Sequence, residues 1–367
     1  MNRLKVSEIL KVFDEFAPFS LQASYDNSGL LVGNKNDEIT KILFTIDVTE
    51  AVIDEAIQVK ADCIIAHHPL IFNGLRRLNS SNDVERSVEK AIKHSIAIIC
   101  VHTNIDFVAQ GVNKKIADKI GLHNQKILSP TPNTLLKIVS FVPTSHYKSV
   151  FEAMALAGAG HIGKYDMCGF STSGYGTFRA LDDAQPFVGK PHTLHTEQEQ
   201  RVEMILPRYK KDAVIAALLA THPYQEVAYD IYSLENYHTQ IGSGIIGDLH
   251  EKELVPDFLQ RIKSIFETPC IRVTDASISK IVRVAVCGGS GSSLISHAIS
   301  QQADIFITAD VKYHDFFLSE NKMIIADIGH YESEQYTKEI FYEIVTKKFP
   351  KFATHFSTVN TNPIKYL

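Results

Sequence analysis

Cys63-Ile64-Ile65-Ala66-His67-His68-Pro69 is a run of four apolar residues closed by two histidines and a proline. So short and unbroken an apolar run reads as a strand buried on both faces of a sheet. The histidines then fall at its carboxyl end, where open α/β sheets bind ligands. Working outward, the same ending recurs. Ile96–Val101 reads as a strand leading into His102-Thr103-Asn104-Ile105-Asp106. Lys322–Asp327 reads as a strand ending in Ile328-Gly329-His330, with Glu334 four residues beyond His330. Lys41–Asp47 and Asp304–Ala309 are strands closed by Asp47 and Asp310, and Ile281–Cys287 runs into Gly288-Gly289-Ser290-Gly291.

Helices are predicted between these strands: Thr49–Lys60 capped by Thr49, Asp83–His94, Ala109–Ile120 stopping at Gly121, and Ser293–Gln301. A long helix is expected from about Tyr331 to Lys347. The outer thirds of the chain are thus halves of one α/β unit. The middle differs. Leu135–Val142 is a strand, Ser145 caps a helix that ends near Gly158-Ala159-Gly160, and two strand pieces, Asp166–Ser171 and Tyr175–Arg179, flank a turn at Ser173-Gly174. After a polar stretch over Asp182–His195 come a strand (Gln200–Leu206), a helix (Tyr209–Thr221) and a strand (Glu226–Leu234). The order β-α-β-β-β-α-β resembles a ferredoxin-like unit with an extra strand. The reading is an inserted α+β domain over residues 126–234, which splits an α/β domain into residues 1–125 and 235–367.

The 367 residues are 45% hydrophobic and 22% charged, an ordinary globular balance, and the length favours two domains. A net charge of -5 provides no broad basic field for nucleic acid. No signal peptide and no membrane-spanning apolar run is read, so a cytoplasmic protein is expected. The five cysteines, Cys63, Cys100, Cys168, Cys270 and Cys287, are odd in number and contain no Cys-x-x-Cys pair, which fits a reducing compartment.

Three predicted strand ends therefore carry His67 and His68, Asp106, and His330 with Glu334. Each has a plain structural reading as well: a surface histidine pair, a helix N-cap, and an i,i+4 surface pair. Taken together they are a nitrogen and oxygen ligand set without thiolate, suited to Zn, Mn or Fe. Five such ligands exceed the need of one tetrahedral ion and suit a pair of ions about 3.5–4 Å apart. His102 and His314 are the candidates for moving protons. Asp26, Asp47 and Asp310 could orient ligands or cap loops. The backbone amides of Gly288-Gly289-Ser290-Gly291 could cradle an anion, or form only a tight turn.

The motifs Tyr25-Asp26-Asn27-Ser28-Gly29-Leu30, His67-His68-Pro69, His102-Thr103-Asn104-Ile105-Asp106, Cys287-Gly288-Gly289-Ser290-Gly291, Asp310 with Lys312-Tyr313-His314-Asp315, and His330-Tyr331-Glu332-Ser333-Glu334 occur in one order. In that order they resemble the GTP cyclohydrolase 1 type 2 homologue family, also called Nif-three-like. The resemblance implies two divalent ions on His67, His68, Asp106, His330 and Glu334, with Glu334 as the bridge. It implies a toroidal homo-hexamer. For Gly160–Phe178 it implies an insert similar to the PII and CutA signalling proteins. Two departures are Ala309, where the family usually has Gly, and Tyr25, where it often has Trp. The function expected is metal-dependent hydrolysis of a small molecule or nucleotide, by ring opening or at a phosphoester. The alternative is a non-enzymatic metal-binding regulator or scaffold whose insert senses a ligand.

Overall fold

The structure, a computed structural model, describes residues 3–275 and 277–367. Contacts divide the chain into two compact units: residues 1–129 with 240–367, and residues 130–239.

The first unit contains two large sheets. One has five strands in the order Ala353–Phe356, Lys41–Thr45, Cys63–Ala66, Ala97–Cys100, Gly29–Val32, parallel except for the last. The other has six, in the order Arg272–Val273, Ile324–Asp327, Ile305–Ala309, Lys280–Ser290, Gly242–Leu254, His123–Pro130. Alternate residues of each core strand enter different cores, which is why their sequences are apolar throughout. Ile42, Phe44, Ile65 and Ile99 share a cluster with Val284, Val286, Ile305 and Ile307 of the six-stranded sheet and with the helices Val6–Phe16, Val112–Ile120, Val255–Phe266 and Thr337–Lys348. Leu43, Ile64 and Ile98 face the other way, onto the helices Glu50–Gln58 and Asp83–Lys93. Ala285, Phe306 and Ile325 do the same beneath the helix Ile295–Ser300. Phe13 meets Phe341 edge to face at 5.6 Å in the shared core.

Local signals hold at several ends. Thr49 Oγ1 accepts from the Val52 amide at 3.4 Å, and Gly121 closes the helix Val112–Ile120 at φ 84°. Others fail. The helix expected from Tyr331 is two pieces, His330–Glu334 and Thr337–Lys348, with the break at Gln335 and Tyr336. Ser145 is not a cap: it lies in a 3₁₀ turn, Thr144–His146, and its hydroxyl meets the His146 ring.

The second unit runs β-α-β-β-α-β: Leu135–Pro143, Tyr147–Leu156, Phe170–Phe178, His195–Pro207, Lys211–Thr221, Tyr229–Ser233. The sheet order is Tyr229–Ser233, Leu135–Pro143, His195–Pro207, Phe170–Phe178, antiparallel throughout. The turn expected at Ser173-Gly174 is absent. Both residues lie inside one strand, Phe170–Phe178, paired with Gln200 and Glu199. Cross-strand hydrogen bonding there overrides a dipeptide that in isolation favours a turn. Among the described residues, no helix is long and apolar enough to cross a membrane.

Candidate metal centre

At the end of the strand Cys63–Ala66, the amides of His67 and His68 both donate to the Ile46 carbonyl, at 3.1 and 2.9 Å. In an extended segment neighbouring side chains diverge. This turn instead brings both rings to one side, with centroids 4.9 Å apart. Ala97–Cys100 leads to His102 and the short helical turn Thr103–Asp106, at whose end Asp106 lies, so Asp106 is not an N-cap. After the strand Ile324–Asp327, Gly329 at φ 95° opens the five-residue helix that presents His330 and Glu334.

These residues converge. Glu334 Oε2 lies 3.0 Å from His68 Nε2, 3.1 Å from His330 Nε2 and 3.6 Å from His67 Nε2. His330 Nε2 is 3.3 Å from His68 Nε2, and Asp106 Oδ1 is 3.8 Å from His67 Nε2. His102 joins the group. Ligand atoms of His67, His68 and His102 lie within 4.8 Å of one another, as do those of His68, His330 and Glu334. His314 does not join it. It lies on the turn Tyr313–Ser319, with its ring 5.2 Å from Tyr313 and 6.5 Å from Phe317, and none of the five proposed ligands is among its partners.

Every inward histidine is held from behind. The Nδ1 of His67 bonds the Val101 carbonyl at 3.0 Å. The other three use carboxylates: His68 on Asp47 at 2.7 Å, His102 on Asp26 at 2.7 Å, His330 on Asp310 at 2.6 Å. An acceptor at Nδ1 fixes the ring and leaves the Nε2 lone pair free, the usual support of a metal-ligating imidazole. Asp26, Asp47 and Asp310 are thus tied to this site. Asp26 is the busiest, accepting also from Thr103 and from the Asn27 amide. These partners lie 76, 21 and 20 residues from their histidines, so which carboxylate supports which ring is set by the fold and not by local sequence.

The electrostatics are incomplete without a cation. Among the described residues, His67 Nε2 and Asp106 Oδ1 are buried with no hydrogen-bond partner, while the buried Glu334 Oε2 has only the imidazole nitrogens of His68 and His330 beside it. Such orphans are rare and costly. Burial holds the His67 imidazole below its ordinary value. Burial, then repulsion from Glu334, pushes Asp106 well above the carboxylate range. Burial opposes ionisation of Glu334 too, but the surrounding imidazoles outweigh it and hold its carboxyl low. For His68 and His330, burial is outweighed by their carboxylate partners, which raise them to about 10 and about 9. The residues fit a divalent cation: nitrogen and oxygen donors, buried, convergent and oriented.

Two amides of the glycine run are not available to an external anion. The Gly288 amide donates to Asn113 Oδ1 at 2.9 Å and the Gly289 amide to Ser333 Oγ at 3.0 Å, so both donors are used within the fold. The glycines serve clearance. A Cβ at Gly289 would lie 2.4 Å from Glu334 Oε1, and one at Gly291 would lie 2.3 Å from Thr308 Oγ1.

The two-sheet α/β unit, with histidines and carboxylates gathered at its strand ends, has the make-up of a metal-binding α/β protein. The family model for DUF34/NIF3 (NGG1p interacting factor 3) matches residues 4–363, and the chain belongs to that family. It is 39% identical over 367 residues to the GTP cyclohydrolase 1 type 2 homolog of Halalkalibacterium halodurans, with 98% of each chain covered. It is 36% identical over 373 residues to that of Bacillus subtilis, also with 98% of each covered. Among solved structures it is similar to a Bacillus cereus protein related to NIF3, at TM-score 0.84 and 36% identity over 99% of both chains. A Staphylococcus aureus protein matches at TM-score 0.78 and 28% identity over the full length of both.

Proposed function

We propose that this protein is a metal-dependent hydrolase whose dinuclear centre is held by His67, His68, Asp106, His330 and Glu334. The observation that carries the reading is the convergence of the His67, His68 and His330 Nε2 atoms on the buried Glu334 carboxylate, beside the unbonded Asp106 Oδ1, with each ring fixed through Nδ1. His68 and Glu334 stand at the overlap of the donor set, within reach of partners on both sides. That position suits Glu334 as the bridge. When bound, divalent ions would supply Lewis acidity and lower the pKa of water.

The chain's own residues do the rest. His67, His68 and His330 would hold the ions through Nε2. Asp47 and Asp310 keep two of those rings from turning. His102, held by Asp26, faces the same space and takes or returns a proton at Nε2. The name borne by the relatives, GTP cyclohydrolase 1 type 2 homolog, directs the first substrate test to GTP and the second to phosphoesters. The residues of the centre are compatible with either.

The test is turnover by protein reconstituted with Mn, Zn or Fe, beside a Glu334→Ala control. Metal-dependent activity lost in the control supports the hydrolase. Retained metal with no turnover on either class favours the regulator. We also propose a cytoplasmic homo-hexamer and a ferredoxin-like, PII/CutA-like insert, on the family resemblance. The β-α-β-β-α-β order of the second unit supports the insert. Light scattering on the eluted protein reads the hexamer.

A further inference from the structure

The second unit has a cavity of about 760 Å³ lined by none of the proposed metal ligands. Its origin is the one-sided packing of the four-stranded sheet. Ile138, Val142, Val202 and Met204 point to the two helices and form the core with Val150, Met154, Val214 and Leu218. By strand alternation Phe141, Gly174, Gly176, Glu199 and Arg201 point to the other face. The connection from Arg179 to Leu194 folds over that face, and its Leu181, Pro186 and Phe187 complete the cavity.

Three features of this space suit a ligand. The first is Glu199, a carboxylate only 7% exposed at the cavity floor. Tyr224 donates to its Oε1 at 2.8 Å, but among the described residues nothing donates to Oε2. The second is the pair of glycines in the strand Phe170–Phe178. Gly176 is needed, because a Cβ would sit 2.1 Å from Glu199 Oε2. Gly174 is not: a Cβ there would meet nothing within 4 Å. Glycine inside a strand weakens it and often marks close approach of a ligand. The third is charge. Arg179 and Arg201 both line the cavity; Arg201 is shared with Glu203, and Arg179 has no carboxylate partner among the described residues. Phe178, Phe187 and Tyr224 form an aromatic wall, with Phe178 and Phe187 at 5.7 and 6.3 Å from Tyr224.

We propose that this cavity binds a small planar aromatic molecule carrying an N–H or ammonium donor and an anionic group. The ring lies over Gly174 and Gly176 against the aromatic wall. The donor meets Glu199 Oε2, and the anion lies by Arg179 and Arg201. Aromatic walls with a few convergent polar groups are the usual make-up of a small-molecule site. The inference is independent of the hydrolase reading.

The test uses the full chain and 8-anilinonaphthalene-1-sulfonate, which has the ring, the N–H and the anion. Calorimetry and fluorescence should give one saturable site per chain. Gly174→Val, a residue suited to a strand and directed into open space, should weaken binding at least tenfold with circular dichroism and Tm preserved. Glu199→Gln and the double change Arg179→Ala with Arg201→Ala should each weaken it at least fivefold. If Gly174→Val does not fold, the exposed arginine pair decides alone. No saturable binding, several equivalent sites, or affinity within twofold of wild type in the folded variants would overturn the proposal.

Discussion

Gly289→Ala puts the smallest side chain on the strand beside the proposed bridging carboxylate. Two effects can be read from the structure. Gly289 has φ 60°, the left-handed region, where an L-residue costs about 1–2 kcal/mol. Its new Cβ would lie 2.4 Å from Glu334 Oε1 and 3.2 Å from His330 Nε2, and contacts under 3.0 Å do not persist. The Glu334 carboxylate must then retreat by about 0.6 Å, the gap between 2.4 and 3.0 Å. Metal sites tolerate about 0.2 Å in ligand distance. The expected result is a loss of about 1–2 kcal/mol in urea unfolding of the metal-free protein, with metal affinity lowered at least tenfold. Chelator competition with Zn or Mn measures the second quantity. If stability falls as stated but affinity stays within twofold of wild type, Glu334 is not a constrained ligand and the reasoning fails.

Other consequences follow from residues behind and beyond the cluster. Asp310→Asn keeps a side chain that tolerates the φ of 53° but removes the charge behind His330, and should lower metal affinity about tenfold in the same competition assay. Asp26→Asn should leave metal content unchanged by elemental analysis yet slow any turnover at least tenfold, because Asp26 holds His102 and no proposed ligand. Glu55 gives a pH test away from the centre. Burial would raise its carboxyl, but the donors Ser357 and Thr358 outweigh this and hold it below its ordinary 4.5. A lowered folded-state value means stability that is complete above pH 4.5 and lost as pH falls through the folded-state value. Glu55→Gln should therefore cost about 1–3 kcal/mol at pH 7, with the gap to wild type narrowing below pH 4.5 in urea titrations. A gap that stays constant down to pH 3 would remove the assigned role of the charge.

Much of the scaffold was legible because each core strand is apolar on both faces. Cys63–Ala66 and Ala97–Cys100 needed only that signal, and Thr49 and Gly121 marked helix ends through local chemistry. The positions of His67, His68, His330 and Glu334 at strand ends followed from the same runs. What stayed hidden was long-range. The pairing of His102 with Asp26 spans 76 residues and depends on how two loops meet. Ser173-Gly174 misled for a related reason: a turn-like dipeptide is held straight by its partner strand and faces a cavity. The run at 288–291 reads equally as an anion cradle or a tight turn, and the choice at 288 and 289 depends on Asn113 and Ser333, distant residues that occupy their amides.

The central claim is that the buried His67, Asp106 and Glu334 atoms complete a divalent metal centre. Elemental analysis of protein reconstituted with Zn, Mn or Fe and freed of loose metal tests it most directly, with the folded double variant His67→Ala and His330→Ala beside wild type. The account predicts up to two ions per chain in wild type and loss of most of them in the variant. Wild type that retains no metal, or a variant that keeps its full complement, would contradict it.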